Sequence, residues 1–350
     1  MNRAQKYRRR WVASVGVAAL FGLSLAGCQN DATKELEDAM GNATPAASPS
    51  TSSPSGKVLE LPAELASVKD IEVSGTVLAV QGEKHVGVGT VKQFADGSAT
   101  ILPLEDSCGT LVPSSDHSVW TVACGDTALT IDPQRPQQVT SIGLDHPATS
   151  AVQLSDGALA TASSDDNAIR IYRAGQEPTT ITMDGSATEL AAVNVPGGTD
   201  ALVRVDRAET KIQDVHFADD EQGGTLRVGL GVGRVAAGRD GLFLASDTNG
   251  NRLMIYTGDD VIRLHQSIPV DESPWAVAWD PKRSLAWVAS TATNTAVGYR
   301  ISSGVPEEQA RVTTVPDAQS MGVLDDGTIV LGSASGHGLS IISQPDSSAQ

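Results

Sequence analysis

One phrase recurs through the second half of this chain and fixes what it can fold into. Leu159-Ala-Thr-Ala-Ser163 leads through Ser-Asp-Asp-Asn to Ile169-Arg-Ile-Tyr172. Leu242-Phe-Leu-Ala-Ser246 leads through Asp-Thr-Asn-Gly-Asn-Arg to Leu253-Met-Ile-Tyr256. Ala286-Trp-Val-Ala-Ser290 leads to Ala296-Val-Gly-Tyr299, and Ile329-Val-Leu-Gly-Ser333 leads to Leu339-Ser-Ile-Ile342. Each is a strand, a polar turn and a second strand. Each follows an alternating segment that ends in a tight turn: Asp156-Gly157, Asp240-Gly241, Asp280-Pro281 or Asp326-Gly327. Asp-Gly supplies the positive φ that short hairpins need. All but the last are followed by a further strand, such as Thr180-Ile-Thr-Met183.

Four strands repeating every 39–45 residues define an all-β, seven-bladed propeller. The units run 64–106, 107–147, 148–186, 187–231, 232–273, 274–317 and 318–344. The last unit has only three strands. Lys57-Val-Leu-Glu-Leu61 supplies the fourth, which removes the open seam of the ring. Trp120, Trp275, Trp279 and Trp287 fall on strands, where packing between blades is their expected role. Pro274-Trp-Ala-Val-Ala-Trp-Asp-Pro-Lys-Arg-Ser-Leu-Ala-Trp-Val-Ala-Ser290, followed by Asn294 to Tyr299, resembles the blade phrase of YVTN-type propellers. That family overlaps the lactonase-like and NHL-like seven-bladed proteins. Trp-Val-Ala-Ser stands where the family has Tyr-Val-Thr-Asn. The resemblance covers roughly 57–344 and implies a fold, not an activity.

The N-terminus sets the address. Arg3, Lys6, Arg8, Arg9 and Arg10 precede an apolar run from Trp11 to Leu25, too short to span a bilayer stably. Leu25-Ala26-Gly27-Cys28 closes it. This resembles the lipobox of bacterial lipoproteins, which implies cleavage after residue 27, acylation of Cys28 and display on the extracytoplasmic face of the cell membrane. Two or three acyl chains make a durable anchor. From Ala43 to Gly56 every residue is Ala, Thr, Pro, Ser or Gly, a composition that builds no core. Residues 28–56 are therefore expected to be a disordered tether, 57–345 the propeller and 346–350 a disordered tail. Without the five basic residues of the signal, 20 basic side chains face 42 acidic ones, a net charge of −22. Such a surface excludes nucleic acid and leaves the lipid as the membrane contact. In an oxidising compartment Cys108 and Cys124 are expected to form a disulfide. They are symmetric about a turn near Asp116 and can face each other across a hairpin.

No catalytic constellation emerges. Gly229-Leu-Gly231-Val-Gly233-Arg234 has no helix after it and reads as a tight β-connection. Asp247-Thr-Asn249-Gly-Asn251 starts like a calcium loop but has Gly258 at the twelfth position, so a side-chain-capped turn is expected. His85, His117, His146, His216, His265 and His337 show no local metal spacing. Neither a cofactor nor a metal is predicted, although a divalent cation would suit an acidic face. That face is the candidate ligand surface: Asp165, Asp166, Asn167, Asp247, Asn249, Asn294 and His337 on the turns between second and third strands. They share it with Asp184, Glu189, Asp271, Glu272 and Asp317 on the inter-blade connections. The competing explanation is that turns are polar because they are wet. The expected function is a monomeric, non-enzymatic binding or scaffold module for a protein or envelope ligand. The alternative is a lactonase-like or quinoprotein-like enzyme centred on the channel. Converging His, Asp, Glu or Arg side chains on the axis would distinguish the second from the first.

Overall fold

The computed structural model describes residues 40–50 and 53–343. The signal segment 1–27, the acylation site Cys28 and the tail 346–350 lie outside the described residues. The chain forms seven antiparallel sheets, six of four strands and one of three, arranged as the blades of a propeller. Blade 7 combines Ala318–Val323, Ile329–Ser333 and Leu339–Ile342 with the N-terminal strand Lys57–Leu59. Lys57 pairs with Ile341 and Leu59 with Leu339, so the ring is closed by the strand the sequence offers for it.

The second strand of most blades is apolar and almost wholly buried, because neighbouring blades cover both of its faces. Leu242–Asp247 and Leu285–Ser290 are buried at every position. Between blades 6 and 7, Trp287 and Met321 pack with Ile329 and Leu331. Trp287 fits because Gly298 is its cross-strand partner. A Cβ on Gly298 would come within 2.8 Å of the indole. Trp120 and Trp287 are fully buried, as blade-packing residues should be. At Asp240-Gly241 both residues have positive φ, the geometry that a two-residue hairpin requires.

Two features depart from the repeat. Blade 2 has three strands, Val112–Pro113, Trp120–Ile131 and Thr140–Ala148. Its long middle strand pairs with the inner strand at one end and the outer strand at the other. The Cys108–Cys124 disulfide is present at this irregular place. Val112 pairs with Thr121, while Cys108 bridges Cys124 one residue out of that register.

The second departure is the tether. Its described part is not free: residues 40–50 and 53–56 run across blades 5, 6 and 7. Gly41 N–H donates to Leu230 O at 3.0 Å and Ser55 N–H to Thr313 O at 2.9 Å. Ala46 N–H donates to Ser273 Oγ at 2.9 Å. Ser48 N–H donates to Asp317 Oδ1 at 3.0 Å, and Ser48 Oγ donates to Thr291 O at 2.8 Å. Asn294 Nδ2 donates to Pro49 O. The segment has no core of its own, so the propeller's loops satisfy its backbone instead.

Candidate functional site: the turn face and the axial channel

The turns between second and third strands share a face with the inter-blade connections. Thr248 N–H bonds Gly231 O, Thr291 N–H bonds Ser273 O and Ala334 N–H bonds Asp317 O. Most of the expected ligand residues on this face are already engaged. Asp247 is buried, and its Oδ1 accepts N–H bonds from Leu230, Gly231 and Gly250 at 2.9–3.0 Å. Burial raises its carboxyl above the usual range, and those donors oppose the shift. The Gly229–Gly231 stretch is thus the tight connection its sequence implies, folded around one carboxylate. Asn249 lies over Gly231, where a Cβ would come within 2.5 Å of its amide and 3.1 Å of Ala43. Asn294 is buried and holds Pro49.

The tether therefore covers the turns of blades 5 and 6 that carry Asp247, Asn249 and Asn294. His337 is exposed beside Ser335, with Nδ1 3.1 Å from its hydroxyl. Asp165 and Asn167 are exposed on blade 3. Asn167 donates to Met183 O at 3.0 Å. Burial pushes Asp166 up, but hydrogen bonds from Arg170 and Ala168 hold it below the usual carboxylate range. These seven residues are spread over the turns of blades 3, 5, 6 and 7.

The convergence lies on the axis. A cavity of about 330 Å³ is lined by the innermost strands, with Leu111, Leu190, Val235, Val277 and Met321 in its wall. One end carries Asp70, Glu72, Glu189 and Arg234. Asp70 and Glu72 lie two apart on one strand and so project to the same side. Arg234 reaches from blade 5 across to blade 1, with Nη1 3.6 Å from Asp70 Oδ1 and a hydrogen bond to Lys69 O. Arg207 pairs with Glu189 and also bonds Val232 O and Gly233 O. The other end has its own cross-channel link, His117 Nε2 lying 3.4 Å from Gly238 O. Beside it, Arg239 stacks on Trp279.

Glu72 differs from its neighbours. Among the described residues its side chain has no hydrogen bond or ion pair, while Asp70 and Glu189 each have a guanidinium. Burial, then the charges of Asp70 and Glu189, push its carboxyl well above the usual range, against the pull of Arg234. Asp70 is also raised by burial, with Arg234 opposing. Chemically, the layer offers one carboxyl able to hold or release a proton, or to meet a cation. Among the described residues no three His, Cys, Asp or Glu side chains are grouped closely enough to hold a metal ion. The sequence flagged Glu189 only as part of a polar face and passed over Asp70 and Glu72. A carboxylate at alternate positions of an inner strand, where apolar residues are the rule, was the available signal.

No protein-family model matches the chain. No curated protein matches it either. Solved structures do. The chain is similar to a streptogramin B lyase at 12% identity and a TM-score of 0.60, covering 81% of this chain and 95% of that one. It is similar to virginiamycin B lyase from Staphylococcus aureus at 14% identity and a TM-score of 0.59, covering 80% and 96%. It is similar to the WD40 propeller domain of Doa1 at 15% identity and a TM-score of 0.58, covering 84% and 98%. Likeness at that identity shows the propeller fold alone.

Proposed function

We propose that this chain is a lipid-anchored module on the extracytoplasmic face of a bacterial cell membrane, and that it binds a ligand in its axial channel. The charged layer of Asp70, Glu72, Glu189 and Arg234 at one end of a cavity whose wall also carries apolar side chains such as Val73 and Val235 carries this reading. Small-molecule sites are concave and mostly apolar, with a few placed polar groups. The Leu25-to-Cys28 phrase and the acidic surface support the location. A protein ligand has less room on the turn face than the sequence implies, since residues 40–50 occupy its blade 5–7 side.

The test is native mass spectrometry of the full-length protein recovered from its own cell envelope. A bound small mass is expected in wild type and is lost in Val235→Trp, which fills the cavity. Wild-type protein carrying no mass, or the same mass on both proteins, refutes the channel as ligand site. For the anchor, Cys28→Ser should move the protein out of the membrane fraction.

A channel-centred enzyme is the second reading. The raised carboxyl of Glu72 favours it, being the kind of group that serves as a general acid or base. Recovery of the bound mass in chemically altered form would support it.

A further inference from the structure

We infer that the axial cavity takes a protonated organic amine, its ammonium docking on Glu72 and its apolar stem lying along the channel wall. This rests on the channel being the ligand site and adds what kind of molecule fits. The charged layer holds three carboxylates, Asp70, Glu72 and Glu189. Two guanidiniums serve it, and both are committed: Arg234 to Asp70 and Lys69 O, Arg207 to Glu189 and the blade 5 backbone. Glu72 is the carboxylate left over. Glu72 is half-buried; an unpaired carboxylate partly withdrawn from water carries a cost, and a cation beside it removes that cost.

The cation is an ammonium rather than a metal ion. Among the described residues no three His, Cys, Asp or Glu side chains are grouped around Glu72 closely enough to hold a metal ion. A calcium or zinc ion needs more protein ligands than one carboxylate offers. An ammonium needs only a few acceptors and carries a stem. Val73, Val235 and Ala236 line the wall and are partly exposed, an apolar surface suited to methylenes rather than to a hydrated ion. An anion would meet three carboxylates, with the two arginines already facing Asp70 and Glu189. The strongly acidic chain concentrates cations near its surface as well.

The experiment is isothermal titration of the full-length protein with n-hexylammonium, hexanoate and calcium chloride, each against wild type, Glu72→Gln and Val235→Trp. Glu72→Gln keeps the shape of the side chain, and a thermal melt checks its fold. Saturable hexylammonium binding is expected, weakened about tenfold or more in Glu72→Gln, as loss of a charged hydrogen bond requires. It should be abolished in Val235→Trp. Hexylammonium binding equally to wild type and Glu72→Gln overturns the assignment. Hexanoate or calcium binding in preference, still lost in Val235→Trp, overturns the ligand class while leaving the channel as a site. If no probe binds, the amine assignment falls. If native mass spectrometry is also empty, the channel reading falls with it.

Discussion

Two carboxylates show how differently one kind of residue is used here. Asp247 is buried because it organises backbone, its Oδ1 collecting N–H bonds from Leu230, Gly231 and Gly250. Asp247→Ala strands those donors and should cost roughly 3 kcal/mol in urea unfolding. Asp247→Asn keeps a side-chain oxygen and should cost clearly less. Equal losses would show that the hydrogen bonds are not what Asp247 supplies. Glu72 organises nothing and is set against the fold. Its native carboxyl titrates above its unfolded value, so the native state holds the proton more tightly. Stability is therefore lost as pH rises through that window. Glu72→Gln escapes the loss. Its melting temperature should gain on wild type as pH rises above the ordinary carboxylate range, about 4. A constant difference over that rise would mean Glu72 is not held out of its usual range. A residue that weakens the fold at neutral pH while lining a cavity has the energetics of a functional group.

At the level of elements, the repeat was legible because each blade solves the same packing problem with the same residue types. Small and β-branched residues fill the sandwiched second strand, and Asp-Gly or a polar run makes the turn. Blade 2 escaped because its middle strand is shared end to end by two partners, a pairing that local alternation does not encode. The Cys108–Cys124 bridge was still legible, since the two cysteines stand equally far from Asp116 on the two sides of its turn. It closes a loop with a sequence separation of 16, for which chain entropy supplies about 3 kcal/mol. Reduction should lower the unfolding free energy by about that amount, and an unchanged urea midpoint would count against it. The closing strand makes a second prediction. Deleting residues 57–62 leaves Leu339–Ile342 as an unpaired edge, costing roughly 3 kcal/mol in lost pairing. A melting temperature that does not move would mean the ring is not held shut there.

For the whole molecule, what the sequence concealed is where the tether goes. Ala, Pro, Ser and Thr promise no core, and they make none. What holds residues 40–50 and 53–56 is long-range: Ser48 meets Asp317 across 269 residues of chain. Single-segment composition carries no sign of such pairings. The docking changes the geometry of display. With Cys28 acylated as proposed, only the residues between Cys28 and Met40 would separate that anchor from the propeller, a reach of at most about 40 Å when extended. The face bearing the blade 5–7 turns should consequently be turned toward the bilayer, and the opposite face outward. Asp165 and Ala174 are both exposed on blade 3, one on each face. Single labels at Asp165→Cys and Ala174→Cys, on lipidated protein in vesicles with headgroup acceptors, should differ in energy transfer, with Asp165 the closer. Ser48→Ala combined with Asn294→Ala removes the Ser48 Oγ bonds to Thr291 O and from Asp317 N–H and the Asn294 bond to Pro49 O, leaves the Ser48 N–H bond to Asp317 in place, and should bring the two efficiencies closer together by loosening the docked segment. Equal transfer from both sites in the wild type would show that the docked segment does not orient the domain. The channel would then meet its ligand from either side.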